Sequence, residues 1–247
     1  MIGALLWDVD GTLAETERDG HLLAFNRAFE ALGVPWCWGA AHYGELLAVA
    51  GGYERLLHDM AQRREAPAQP AARAALARRV HRLKNELYAG IVAAGELPLR
   101  EGVAALLADC RTAGVPLGIA TTSSAANVAA LLGRHLGSAW RTQFAAVVCA
   151  EQAPRKKPDP QVYRCALAGL GVPAEAAVAI EDAPAGVAAA RSAGVAVIVT
   201  HSHYFPQLHA DGVLAAGPSL GSAAGWRPAA AHAGRIDLAQ INRWRGY

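Results

Sequence analysis

A chain of 247 residues, 53% hydrophobic and 18% charged, has room for one α/β domain with an insertion or for two small domains. Its 23 Lys and Arg against 21 Asp and Glu leave a formal net charge of +2, which argues against a field built for nucleic acid or a membrane surface. The four cysteines, Cys37, Cys110, Cys149 and Cys165, stand far apart with no Cys-x-x-Cys, so a reducing cytoplasm is expected rather than a disulfide framework.

The chain opens on an apolar strand, Ile2 to Trp7, too short for a signal-peptide core or a membrane span. Asp8, Val9, Asp10, Gly11 and Thr12 follow it directly. Residues 14–33 then place Leu22, Leu23, Phe25, Ala28, Phe29 and Leu32 on one helical face, and Gly33 ends the helix. Further helices are expected at about 41–50, 54–64 and 71–93, with Gly51-Gly52 separating the first two and 66–72 forming a loop. No strand pattern occurs between residues 15 and 95. From residue 100 the rhythm changes to helices at 101–113, 125–136, 160–170 and 185–193, alternating with short apolar strands at 115–120, 144–150, 176–180 and 195–199. That alternation predicts a Rossmann-like parallel sheet with helices on both faces. The first strand must join this sheet, because an isolated strand is not stable. The expected architecture is therefore an α/β core, residues 1–16 and 94–247, interrupted after its first strand by a helical cap, residues 17–93. Residues 216–234 read as a surface loop and 236–244 as a closing helix.

Ligands of open parallel sheets bind beyond the carboxyl ends of the strands, so the residues after each strand matter most. Asp8, Asp10 and Thr12 follow the first. Thr121, Thr122, Ser123 and Ser124 follow the strand at 115–120. Lys156 and Lys157 come soon after 144–150, and Glu181 and Asp182 after 176–180. Only three of the 23 basic residues are lysines, at 84, 156 and 157, which marks those positions for an ammonium's own chemistry. Hydroxyls and a lysine suit a phosphate. Carboxylates suit Mg²⁺, with Asp8, Asp10, Glu181 and Asp182 as candidate ligands. Once the charge of a phosphate is neutralised, a carboxylate can attack phosphorus and a second carboxylate can shuttle the proton. Asp8 and Asp10 point the same way by the two-residue period of a strand. Taken singly, each motif has an ordinary reading. Asp-x-Asp-Gly also opens calcium loops, Thr121–Ser124 serves as a helix N-cap, Lys156-Lys157 as a solvated loop, and Glu181-Asp182 as a cap for the next helix. Their order and common edge favour phosphate chemistry.

The motifs "DVDGT", Thr121, "KKPDP" and "IEDAPAG" resemble the four signatures of the haloacid dehalogenase superfamily. The helical block is similar to the small cap of its β-phosphoglucomutase-like members. "AETERDGHLLAFN", "LLAVAGGYERL" and "LPLREGVAALL" resemble the CbbY-type phosphatases. The resemblance implies that Asp8 is the nucleophile and Asp10 the general acid and base. It further implies that Thr121, Thr122 and Lys157 hold the transferring phosphate, and that Asp182 completes a Mg²⁺ site. CbbY-type enzymes hydrolyse xylulose 1,5-bisphosphate, an inhibitor of the Calvin-cycle enzyme Rubisco. In the cap, the substrate-binding candidates are Glu17 and His21, which either reach sugar hydroxyls or form a solvated helical turn, the better reading from spacing alone; Gly51 and Gly52, which either let backbone N–H groups approach a ligand or break a helix; and Arg55 and Lys84, which from spacing alone read as exposed helix charges. The resemblance makes Glu17 a substrate contact and matches Lys84 to a cap lysine; Arg55 and Lys84 become candidates for a second phosphate. Tyr53 stands where the family generally carries Lys. The expected function is a Mg²⁺-dependent sugar-bisphosphate phosphatase acting on a small phosphorylated sugar, without nucleic acid, membrane or obligate protein partner. The alternatives are a β-phosphoglucomutase-like phosphomutase, a broad sugar-phosphate or phosphoglycolate phosphatase, and a non-catalytic sugar-phosphate sensor.

Overall fold

The structure is a computed structural model that describes residues 1–95, 97–208 and 211–247. Its core is a parallel sheet of β1 (Ala4–Trp7), β2 (Leu117–Ala120), β3 (Ala146–Val148), β4 (Ala177–Glu181), β5 (Ala196–Thr200) and β6 (Ala215–Gly217), in the order β3-β2-β1-β4-β5-β6. β1 is central and buried at every position. Its side chains alternate between the two faces of the sheet. Leu5 and Trp7 join the cluster under α5 (Val103–Thr112), α6 (Ala125–Leu136) and α9 (Leu238–Arg245). Ala4 and Leu6 join the opposite cluster, under α7 (Gln161–Leu170) and α8 (Pro184–Ser192). Covering both faces is what an all-parallel sheet requires.

Register then places the site. Trp7 lies opposite Ile119 of β2 and Ile180 of β4, so Asp8, Thr121 and Glu181 leave or end their strands at one level. The sheet also changes direction beside β1: the chain runs outward to β2 and β3 on one side and to β4, β5 and β6 on the other. Such a switch point opens a crevice beyond the strand ends, and the charged motifs of β1 and β4 lie there.

Four further helices sit over that crevice: α1 (Leu23–Ala31), α2 (Ala40–Leu46), α3 (Gly52–Gln62) and α4 (Pro70–Ala93). They enclose a core of their own, built on Phe25, Phe29, Trp38, Tyr43, Leu56 and Met60. Asp59 is buried there and accepts bonds from Trp38 Nε1 at 2.7 Å, His42 Nε2 at 2.7 Å and Arg63 Nε at 2.6 Å. α4 has 24 residues, about 36 Å at 1.5 Å per residue. Ala77 and Val80 in its first half pack in the helical core, and Tyr88, Ile91 and Val92 in its second half pack against the sheet layer. One rigid helix thus ties the two units together. No helix among the described residues is long and apolar enough to cross a membrane.

Several boundaries differ from the sequence reading. The helix expected from residue 14 begins as a π-helical turn, Glu17–Leu22, before α1; a single such turn inside a helix often marks a functional site. α2 stops at Leu46 rather than about 50, and β3 keeps only three residues. The segment 216–234, expected as a surface loop, is partly interior. Its first residues belong to β6, which pairs with β5. Trp226 is buried and stacks on Trp244 with ring centroids 4.9 Å apart. Gly217 makes room for that indole, since a Cβ there would lie 2.3 Å from the ring.

Candidate active site

Asp8 follows β1, and its backbone N–H donates a hydrogen bond to the Ile180 carbonyl at 3.1 Å. Asp8, Glu181 and Asp182 are buried, and each offers a carboxylate oxygen within 4.8 Å of the others. Lys157 enters from the loop after β3. Its Nζ lies 2.6 Å from Asp8 Oδ1 and 2.7 Å from Glu181 Oε1, and 5.3 Å from the centre of the Tyr163 ring. The Tyr163 hydroxyl donates to Glu181 Oε1, and the Thr12 hydroxyl donates to Asp182 Oδ1 at 3.1 Å. Gly11 has φ +81°, and a Cβ there would meet Asp182 Oδ2 at 2.1 Å. Only glycine allows both that turn and that approach.

Three carboxylates around one ammonium leave excess negative charge in a buried place. Burial pushes the Asp8 carboxyl up to about 7, against the pull of Lys157 and with a push from Glu181 and Asp10. Burial and the charges of Asp8 and Glu181 hold Asp182 well above the usual carboxylate range. Burial opposes the charge of Lys157, yet Asp8 and Glu181 raise its pKa above the ordinary lysine value. The donors are all oxygen, and the surplus charge is negative. A hard divalent cation fits that description, with Asp8, Glu181 and Asp182 as its carboxylates.

The structure does not bring the Asp10 carboxylate to this group. Asp10 Oδ1 accepts from Thr16 Oγ1 at 2.5 Å and from His21 Nε2 at 3.0 Å, and Oδ2 accepts from the Ser123 hydroxyl. Burial would raise its pKa, but His21, Ser123 and Thr16 together hold it below the usual range. A carboxylate only accepts, so His21 carries its proton on Nε2; its Nδ1 is buried without a hydrogen-bond partner among the described residues. Thr121 is buried at the end of β2 and its hydroxyl accepts the Ser123 amide at 3.1 Å. Thr122 lines the cleft beside Asp8 and Lys157.

The cleft has two connected parts. One, of about 80 Å³, lies over the carboxylates. The other, of about 150 Å³, runs beneath the helices and is lined by Glu17, His21, Gly51, Gly52, Arg55 and Lys84. All six candidates from the helical unit therefore face one space. Arg55 Nη1 lies 3.7 Å from Glu17 Oε2. Tyr43 sits between them, donating to Glu17 and accepting from Arg55 at 2.9 Å. Lys84 is different. Its Nζ is 3.3 Å from Asn85 Oδ1 and lies 5.0 Å and 5.4 Å from the ring centres of Phe25 and Tyr88. It has no ion-pair partner among the described residues, and burial brings its pKa down to about 8.

Tyr53 does not line the cleft. Its ring meets His81 edge-on at 6.4 Å between centroids. His81 itself does line the cleft, and burial with the charges of Lys84 and Lys156 lowers its pKa to about 4. Sequence reasoning placed Ser123 among the strand-end hydroxyls without joining it to Asp10, and missed His81, Tyr43 and Tyr163 as parts of this site. His81, Lys84 and Tyr88 share one stripe of α4 at spacings of three and four, which was the signal available. Tyr163 gave none, being one apolar-facing position of an ordinary helix.

A haloacid dehalogenase-like hydrolase family model matches residues 2–194. The chain is 44% identical over 250 residues to the plasmid-encoded protein CbbY of Cupriavidus necator, covering 98% of this chain and 96% of that protein. The crystal structure of CbbY from Rhodobacter sphaeroides in complex with phosphate matches with a TM-score of 0.80 at 41% identity, covering 86% of this chain and 92% of that one. A variant of the same protein, in complex with xylulose-(1,5)bisphosphate, matches with a TM-score of 0.80 at 40% identity, over 86% and 92% of the two chains.

Proposed function

The chain belongs to the haloacid dehalogenase-like hydrolases, and on that footing we propose that it is a Mg²⁺-dependent phosphatase of xylulose 1,5-bisphosphate, releasing xylulose 5-phosphate. One observation carries the choice of a bisphosphate. The cleft that holds Asp8 and Lys157 at one end has at the other the buried Lys84, which has no ion-pair partner among the described residues, with Arg55 between. The related CbbY structure holding xylulose-(1,5)bisphosphate supports the same reading.

Residues 17–93 act as the cap and the remainder as the core. Lys157 and Thr121 with Thr122 bind the phosphate at the core end, while Lys84 and Arg55 meet the distal one. Glu17, His21 and the backbone at Gly51-Gly52 face the sugar. A Mg²⁺ ion held by Asp8, Asp182 and Glu181 would neutralise charge on the phosphate and on the nucleophile; the absence of Cys and His from the donor set favours Mg²⁺ over a softer ion. Lys157 takes Asp8 Oδ1, which leaves Oδ2 to attack phosphorus. The bond from Asp8 to phosphorus forms as the bond to the sugar oxygen breaks, and that oxygen takes a proton from Asp10. Asp10 then removes a proton from water, which attacks phosphorus and frees Asp8 and inorganic phosphate. Thr16, His21 and Ser123 hold Asp10 ionised as it stands, so the acid role needs it to leave those donors and take a proton from solvent before the sugar oxygen departs; the proton it later takes from water restores its protonated form.

The test is phosphate release from xylulose 1,5-bisphosphate, ribulose 1,5-bisphosphate, β-glucose 1-phosphate and phosphoglycolate side by side. The highest kcat/KM is expected for xylulose 1,5-bisphosphate. A higher value for phosphoglycolate, or rearrangement of β-glucose 1-phosphate without phosphate release, would defeat the assignment.

A further inference from the structure

Of the three lysines, Lys157 serves the carboxylate centre and Lys84 the far end of the cleft. Lys156 lines the same cleft as Lys84, but its ammonium is taken up by a carboxylate of the helical unit. Its Nζ lies 2.5 Å from Oε2 of Glu54, with the two side chains 21% and 43% exposed. Glu54 belongs to the first turn of α3, where the helix N-terminus favours a carboxylate. The pair therefore joins a loop of the core to a helix of the cap. The neighbours of the two partners make this contact informative. Lys157, next to Lys156, touches Asp8; Arg55, next to Glu54, faces the cleft. Fixing Glu54 to Lys156 fixes Arg55 over the carboxylate centre. Gly51 lies between them with φ +96°, and a Cβ there would sit 2.2 Å from both Glu54 Oε2 and Lys156 Nζ. Any other residue would wedge the pair apart.

We propose that Glu54 and Lys156 are positioning residues of the phosphatase reaction, an ion-pair clasp that sets the register of the cap on the core. The inference rests on the cap-and-core reading above but not on the identity of the sugar. A half-exposed ion pair is weak and reversible, as a contact must be if the cleft opens to admit its substrate. The clasp moves no proton and forms no bond to the substrate.

The test is a double-mutant cycle on Glu54→Gln and Lys156→Met, both close in shape to the original side chains. kcat/KM for xylulose 1,5-bisphosphate is expected to fall about fivefold in each single variant, chiefly through KM. The double variant should fall by no more than either single, because the second change removes a partner already lost. A substrate-independent measurement runs beside it: hydrogen exchange of the Arg55 amide, which the Gly51 carbonyl holds at 2.9 Å. Exchange should quicken equally in all three variants. Multiplying losses, to about 25-fold in the double variant, would overturn the proposal. So would a loss in Lys156→Met with none in Glu54→Gln, since Lys156 would then act on the substrate itself. If the wild-type enzyme does not turn over the bisphosphate, the sugar assignment fails alone, and the exchange measurement still decides for or against the clasp.

Discussion

Asp8 and Asp10 are two residues apart, yet their surroundings push them in opposite directions. Asp8 shares a buried space with Glu181 and Asp182 and is driven up to about 7, while Asp10 is bonded by three donors and held low. A nucleophile needs a low pKa and an acid a high one, so the proposed roles require a bound cation, which would bring Asp8 down, and require Asp10 to leave its three donors. Asp8→Asn is nearly isosteric and relieves carboxylate crowding, so the fold should persist by circular dichroism. Its kcat should drop by at least about a hundredfold, as for other nucleophiles; a variant that kept a tenth of wild-type turnover would remove Asp8 from that role. Asp10→Asn makes a different prediction. A p-nitrophenolate leaving group needs no proton, so the loss should be smaller with p-nitrophenyl phosphate than with a sugar phosphate. Equal losses would mean that Asp10 only holds Thr16, His21 and Ser123 in place. Asp8 and Asp10 stood out in the sequence as candidates because charge at the end of an apolar strand has no structural use. The bond from Ser123 to Asp10 and the place of Tyr163 were not legible, because a serine before a helix and a tyrosine within one have common structural uses. Only the tertiary fold turns them towards Asp10 and Glu181.

The elements show the same division. β1, β2, β4 and β5 were readable as apolar runs because strands covered on both faces are hydrophobic throughout. β6 was not readable. Ala215-Ala216-Gly217 is too short and too small to make a pattern, and its place depends on β5 alongside and on Trp226 against Gly217. The two roles of α4 were hidden for a related reason: its apolar residues serve two different cores, so they form no single stripe. The hidden strand leads to a stability prediction. Trp226 is 3% exposed, stacks on Trp244 and donates from Nε1 to the carbonyls of Ser219 and Ser222. Trp226→Ala should cost about 3–5 kcal/mol, a fall in Tm on the order of 10 °C for a domain of this size. The proposed catalytic residues follow other strands, so kcat at low temperature should stay near wild type. A thermal scan that moves by less than a degree or two would return the segment 216–234 to the surface-loop reading.

At the scale of the molecule, what matters is that two units meet across a charged cleft. The core supplies a lysine already committed to Asp8 and Glu181. The helical unit supplies Lys84, buried between Phe25 and Tyr88 and without an ion-pair partner among the described residues. A buried ammonium without a counter-charge is costly, and an anionic group of the substrate is the partner that the cleft can admit. Burial lowers the Lys84 pKa to about 8. The sign follows: below that pH the group is charged and attracts the distal phosphate, and above it the charge is lost. A phosphate dianion has finished its own titration near pH 6 and adds no further change there. The kcat/KM for the bisphosphate should therefore fall as pH rises through about 8. Turnover of p-nitrophenyl phosphate, which has no second phosphate, should not follow it. Lys84→Arg should abolish the fall, because a guanidinium stays charged throughout. Losing one partner of a desolvated charge pair costs about 2–5 kcal/mol, so Lys84→Ala should lower kcat/KM for the bisphosphate by roughly 30-fold or more and that for p-nitrophenyl phosphate far less. If Lys84→Ala slows both substrates alike, or the bisphosphate profile runs flat through pH 8 in the wild type, the cap does not read a second phosphate. A phosphatase of sugar monophosphates would then be the better account of this cleft.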